Sequence, residues 1–381
     1  MKSGAGAGAD WLDIQSQAIS PGDIREASFA EFRSSAPVRL VCPFLRFPSL
    51  SAYVLYRRAD VLRALGDSGM FSLAPVMARY EAVLGSAALR ENEPAWRVLR
   101  RCLGPILSPP SLTRISETVL RPLARKLVAQ LPADHPVELI DCLARPLPTQ
   151  MLCYLIGIDL AEWRAVYSAV RHMVSFGRQP LAGLRGARVL RAQLGELTED
   201  ASVRPPGPAL VALREAGLPP SQVTDLLMLL CWAAVETTAP ALGIVLQAAL
   251  RARKHAPPGA HSAQARRAAL AALTADAPVQ MTCRLTRAGV DLSGVHIPEG
   301  ALVLPHLGAA ALDAEGGRHR ATSLIFGSGP HRCIGAALAI AEVTIAVEEL
   351  QRRYPRARLT GPVDVQGEFI RGPQTVWAQL E

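Results

Sequence analysis

Apolar residues recur at helical spacing through most of the chain and alternate with polar ones only in short stretches. Residues 21–35 read as a short helix. Val38-Arg39-Leu40-Val41 and Ala52-Tyr53-Val54-Leu55 then read as a hairpin-like strand pair, followed by a short helix over Ala59 to Leu65. Phe71 to Leu89 is irregular to weakly helical. Helical spacing returns at Glu93, with Pro94 near the first turn, and continues over 112–130, 138–157, 160–175 and 177–199, with Pro-containing turns between. A loop and a short helix occupy 201–217.

The longest helical run is Ser221 to Arg251, apolar on every side. Its length would span a bilayer, but Glu236 and Pro240 stand mid-run and no interfacial anchors flank it. The pattern therefore predicts a helix buried through a large protein. Strands are expected at Val290–Ile297 and Ala301–Leu304, around the turn Pro298-Glu299-Gly300. A last long helix is expected from Ile334 to Leu350, and strand-like pieces such as Thr375-Val376-Trp377-Ala378 end the chain.

Composition narrows the class. Of 381 residues, 50% are apolar and 19% charged, which implies a large core and excludes global disorder. The net charge of +8 suits an acidic partner, but no basic cluster is interleaved with aromatics, so nucleic acid is not expected. Seven cysteines are scattered without a C-x-x-C pair, the usage of a reduced, cytoplasmic protein. Met1 to Asp10 is Gly/Ala-rich with no apolar core, so no signal peptide or membrane anchor is expected there, and residues 1–20 read as a flexible lead-in.

Chemistry concentrates in two places. In Phe326-Gly327-Ser328-Gly329-Pro330-His331-Arg332-Cys333-Ile334-Gly335 an aromatic residue leads a Gly-rich turn ending on a cysteine at the start of a long helix. Backbone N–H groups and the positive end of the helix dipole stabilise a thiolate there. Gly329 permits positive φ, and Gly335 leaves room for a flat ligand. The other place is Ala233-Ala234-Val235-Glu236-Thr237-Thr238, an acid and two alcohols inside the apolar run, where a buried carboxylate must be paired or used.

Phe-x-x-Gly-x-x-x-Cys-x-Gly resembles the haem-binding loop of the cytochrome P450 family, and Ala-Ala-Val-Glu-Thr-Thr resembles the oxygen-activating segment of its central helix. The resemblance covers the chain from about residue 20 to its end in element order. It implies a mainly α fold with small β-sheets, a triangular prism around a long central helix, with residues 21–381 as a single haem domain. It implies haem b, with Cys333 as the thiolate ligand of the iron and Glu236 and Thr237 as the proton relay. Ala233, Phe326, Gly329 and Gly335 would lie against the haem, and Trp96, Arg100, Arg284 and His331 would hold its propionates. Residues 71–89 would roof the substrate pocket and 172–190 would form a mobile lid, with Met173, Val174 and Phe176 as candidate pocket residues.

The chain also departs from the family. The helix Glu-x-x-Arg motif, counted back from Pro278-Val279, falls on Ala271 and Thr274, and no Asp or Glu occurs from Thr237 to Ala275. Glu349 and Arg352 match that motif by letter but follow Cys333. The segment between Ala310 and Phe326 is short, where the family has a longer meander. Ala234 stands where Gly is common.

The reading that follows is a cytoplasmic haem-thiolate monooxygenase for a medium-sized apolar or natural-product-type small molecule, with electrons from NAD(P)H through a ferredoxin reductase and ferredoxin, acting apart from membranes. Ala234 and the missing ionic motif motivate an alternative, a haem-thiolate enzyme of dehydration, rearrangement or ring closure. A non-catalytic P450-like partner protein is a third, disfavoured by the retained Cys333, Glu236 and Thr237.

Overall fold

The structure, a computed structural model, describes residues 32, 38–41, 51–85, 94–199, 205–252, 262–313 and 324–381. Its main strands and longer helices begin with β1 (Val38–Val41), β2 (Ser51–Leu55), α1 (Arg58–Gly66) and β3 (Phe71–Ser72). Helices α2 (Pro94–Ile106), α3 (Arg121–Ala129), α4 (Pro146–Ile156), α5 (Trp163–Val174), α6 (Pro180–Glu199), α7 (Pro220–Arg251) and α8 (Ser262–Ala275) follow. The chain then runs through β4 (Arg284–Thr286), β5 (Val290–Leu292), β6 (Val295–Ile297), β7 (Leu302–Pro305) and α9 (Ala336–Arg353). The expected lead-in over 1–20 and, within the short segment between Ala310 and Phe326, residues 314–323 lie outside the described residues, as does all of the expected helix at 21–35 except Phe32.

The chain divides into two compact units. The first takes in the described residues up to Val76, Thr274–Arg332 and Gln366–Arg371. Its sheet runs β1-β2-β7-β4-β3, with β1 antiparallel to β2 (Val38 opposite Val54) and β2 parallel to β7 (Ala52 opposite Leu302). The period of two divides the side chains of β2 between two clusters. Tyr53 and Leu55 pack with Val61, Leu65 and Phe71, whereas Val54 and Tyr56 pack with Met281 and Leu304. Each fully buried Leu or Val contributes about 1.5–3 kcal/mol, so the two clusters fix the register.

The expected strand Val290–Ile297 is instead a hairpin. β5 and β6 pair across Ser293-Gly294, both at positive φ (46° and 83°). Such a two-residue turn matches strand twist, and the Ser-Gly pair was its one local signal. A further link was not expected: Arg371, buried, donates from Nε to Asp276 at 3.1 Å, and its N–H donates to the Pro278 carbonyl at 2.7 Å.

The second unit holds Met77–Leu273, Cys333–Val365 and Gly372–Glu381. It is built around α7, which packs against α4, α5, α6 and α9. The helix runs through Pro240 without a break. Pro240 has no N–H to give the Glu236 carbonyl, and its ring lies against Gly372, where a Cβ would come within 2.6 Å of it. By length and composition alone α7 could cross a membrane, yet 61% of its most apolar window is buried inside the protein.

Helices α5 and α6 form a tight antiparallel pair. A Cβ at Gly186 would stand 2.6 Å from the Ala169 carbonyl oxygen and one at Gly183 2.5 Å from Phe176 Cα. The absent side chains allow the backbones to approach this closely. Helix α9 is tied to α3 by charge. Glu349, almost fully buried, accepts from Arg121 at 3.0 Å, Arg125 at 3.0 Å and Arg352 at 2.6 Å.

Candidate functional site

The residues of the Cys333 loop fall on both sides of the division between the units, which lies between Arg332 and Cys333. In the first unit Phe326 is half-buried, and Gly329–His331 form one 3-10 turn closed by the Arg332 N–H donating to the Gly329 carbonyl at 3.1 Å. Gly329 has φ +70°, and a Cβ there would lie 2.3 Å from the Leu65 carbonyl oxygen at the end of α1. Both the dihedral and the space demand glycine. His331 is half-buried. Arg284 is buried on β4, and its guanidinium donates to the Cys283 carbonyl at 2.7 Å.

In the second unit Cys333 is exposed. The following helix begins at Ala336 with Gly335 as its N-cap, not at Cys333 itself. The two extra residues let the chain turn before the first helical N–H groups. A Cβ at Gly335 would meet only the Cys333 sulfur, at 3.9 Å, so the ground beside the thiol is open.

Helix α7 supplies the second set. From Val223 to Leu229 and from Ala241 to Gln247 it is buried, but at its centre Ala233 is exposed and Leu230, Ala234 and Thr237 are half-buried. These four lie three or four residues apart and so share one face. An uncovered stripe of mostly small side chains in the middle of a buried helix is ground for a flat group to lie on. With the exposed thiol of Cys333 and the open space at Gly335, the residues of this unit fit a haem. Thr237 donates its hydroxyl to the Ala233 carbonyl at 2.9 Å, within an unbroken helix.

Glu236 projects to one side of that stripe. Burial pushes its carboxyl above the ordinary range, and the positive charges of Arg171 and Arg145 oppose the shift. Arg145 lies 5.7 Å and Arg171 6.0 Å from the centre of the Tyr167 ring, and Arg145 also pairs with the exposed Asp141. Burial raises the Tyr167 phenol as well. This cluster escaped the sequence reading. Its signal was indirect: a buried acid needs a cation, and α5 offers arginines and no acid. Trp232, one residue before Ala233, was missed too. It meets Tyr80 edge to face at 5.0 Å, and Tyr80 lies 6.1 Å from Phe176, so both flanking segments touch at the side of α7.

Trp96 and Arg100 lie on α2, which packs on α7. Arg100 is half-buried and Arg97 exposed, as their spacing on the helix predicts. Of the expected pocket residues, Met173 is fully buried, and Val174 and Phe176 are half-buried.

No protein-family model matches the chain. Cytochrome P450 107B1 of Saccharopolyspora erythraea is 30% identical over 364 residues, covering 84% of this chain and 86% of its own. Mycinamicin IV hydroxylase/epoxidase of Micromonospora griseorubida is 27% identical over 387 residues, covering 91% and 93%. Among solved structures, P450BioI in complex with an acyl carrier protein ligated to hexadec-9Z-enoic acid aligns with TM-score 0.80 at 20% identity, over 94% of this chain and 99% of its own. At that identity the likeness speaks for the fold: mainly α, with small sheets and a long central helix.

Proposed function

This chain belongs to the cytochrome P450 family and is a P450-type monooxygenase, and on that premise we propose that it binds haem b through Cys333 and oxidises a medium-sized apolar or natural-product-type molecule. The observation that carries the assignment of its residues is the uncovered stripe Leu230, Ala233, Ala234 and Thr237 on an otherwise buried helix.

Bound haem supplies the redox chemistry of oxygen activation, with the Cys333 thiolate donating electron density. The protein's own residues do the rest. Phe326, Gly329 and Gly335 shape the loop, and Ala233 gives the ligand a flat face. Trp96, Arg100, Arg284 and His331 are the polar and cationic donors for its two propionates. Glu236 holds a proton more readily than an exposed glutamate because it is half-buried. Arg171 and Arg145 keep its ionised form within reach, so it can both give and regain a proton. The Thr237 hydroxyl stands beside it on the stripe to pass that proton on.

Electrons come from a ferredoxin and its reductase in this reading. The net charge of +8 and the exposed Arg97, Arg101 and Arg332 support an acidic donor. The protein works as a soluble cytoplasmic enzyme, with residues 21–381 as one haem domain. The burial of α7 supports the soluble state.

A second reading rests on the unbroken helix, in which the Thr237 hydroxyl is bonded back to Ala233 and Ala234 narrows the stripe. It assigns a dehydration, rearrangement or ring closure at the same haem. Turnover of apolar substrates under labelled dioxygen, with ferredoxin, reductase and NADPH, separates the two. Label in the product is the expected result. Unlabelled product, formed without reductant, would assign the second reading.

A further inference from the structure

From Trp163 to Gly195 the chain carries six arginines and one histidine and not a single carboxylate. These residues make α5, the turn between the two helices and α6 as far as Gly195; the last turn of α6 carries the exposed Glu196 and Glu199. The buried side of α6 is Gly183, Gly186, Ala187, Leu190 and Leu194. On its outer side Leu181 is 75% exposed and Val189 60%, with Leu184 at 37%. Successive side chains around a helix stand 100° apart. Around the outer arc the order is therefore Leu184, Arg188, Leu181, Arg185, Val189, with arginines set between the apolar residues. Arg191 is satisfied by Asp225, whereas Arg185 and Arg188 form no ion pair among the described residues. Arg164, Arg171 and Arg178 are exposed on the same helical pair.

We propose that the outer face of α6, centred on Arg185 and Arg188 between Leu181, Leu184 and Val189, is a docking surface for an acidic carrier protein that presents a tethered substrate. Charge selects an acidic partner, and guanidinium groups pair with carboxylates in a planar, two-point geometry. Arginine is enriched at protein interfaces, and the exposed aliphatic side chains between the arginines give a partner apolar surface to bury. A bilayer-binding helix turns a continuous apolar face to the lipid. Here the continuous apolar face of α6 is used inside the protein, and the outer face is mixed. Helix α6 also packs on α7, which bears the uncovered stripe, and Phe176 at the α5–α6 turn reaches Tyr80. A partner held here touches the elements that border that stripe. Delivery of substrate rests on the proposed function, but docking does not.

The test is the affinity of the full-length protein for an acidic acyl carrier protein bearing its acylated phosphopantetheine arm, measured by calorimetry. Binding is expected, weakened about tenfold or more by Arg185→Glu with Arg188→Glu, and weakened again by Leu181→Ser with Leu184→Ser. All four residues are exposed, and unchanged melting temperatures would show the fold intact. Binding should also fall as salt is raised, because exposed charges are screened. A Cys333→Ala variant should bind as the natural protein does, so loss of the haem reading and loss of the docking surface are told apart. No binding, or equal binding by the charge-reversed variant, would overturn the proposal. Binding to phosphatidylglycerol vesicles but not to the carrier protein would overturn it in favour of a membrane surface.

Discussion

Glu236 is half-buried and Glu342 buried, and burial raises both carboxyls, yet their surroundings differ. Glu236 has Arg171 and Arg145 working against the rise that burial imposes. As a proton donor it loses activity as pH climbs through its raised pKa. Glu236→Gln should lower kcat by about a hundredfold with little change in KM and abolish that limb of the pH profile. Arg171→Gln removes a charge that favours the ionised form, so the limb should move to higher pH. A downward shift would contradict the pairing. Glu342 on α9 has burial as its cause, with no cation opposing it among the described residues, and its carboxyl is pushed up to about 8 from 4.5. Unfolding releases its proton between those values, so its contribution to stability is intact below 4.5 and lost as pH rises through 8. Glu342→Gln should flatten the pH dependence of stability across that window and raise the melting temperature at pH 8, with little effect at pH 4.5. The sequence showed Glu236 because an acid among apolar residues stands out in a long run. It did not show Glu342, which sits in an acidic and apolar helix where its burial depends on which face meets the rest of the unit.

Among the elements, α7 was legible because apolar residues on every side require a buried or membrane-spanning helix, and Glu236 and Pro240 mid-run point to the buried one. β1, β2 and α1 were legible for the same kind of reason, a period of two giving way to a helical one. The hairpin of β5 and β6 was not, since Val290 to Ile297 reads as one apolar run unless Ser293-Gly294 is taken as a turn. The start of α9 was placed two residues early, because nothing in Cys-Ile-Gly marks which residue caps the helix. Glu349 and Arg352, dismissed in sequence as a chance match to the missing motif, do form an ion pair, but one that joins α9 to α3 through Arg121 and Arg125. Those three guanidinium groups together outweigh burial and hold the Glu349 carboxyl below its ordinary range. Glu349→Gln should therefore destabilise the protein by about 1–3 kcal/mol at neutral pH. The difference should shrink on acidification, as Glu349 itself is protonated. An equal loss at all pH values would point to packing alone.

At the scale of the whole molecule, the departure that mattered most in the sequence was the loss of Glu-x-x-Arg. Ala271 and Thr274 do lie on a helix, α8, where the motif was counted to fall. Directly after that helix, Asp276 pairs with the buried Arg371, a residue near the other end of the chain. Sequence reasoning could not join two residues so far apart. An ionic network can be exchanged for other packing without loss of fold, and the P450 fold is retained here. On that fold the proposed site holds its haem through the Cys333 thiolate. That claim is tested most directly by the absorption spectrum of the reduced protein under carbon monoxide, beside a Cys333→Ala variant. The account predicts the red-shifted Soret band of a thiolate-ligated haem in the natural protein and its loss in the variant. The spectrum of a neutral-ligand haem, or a band unchanged by the substitution, would contradict it.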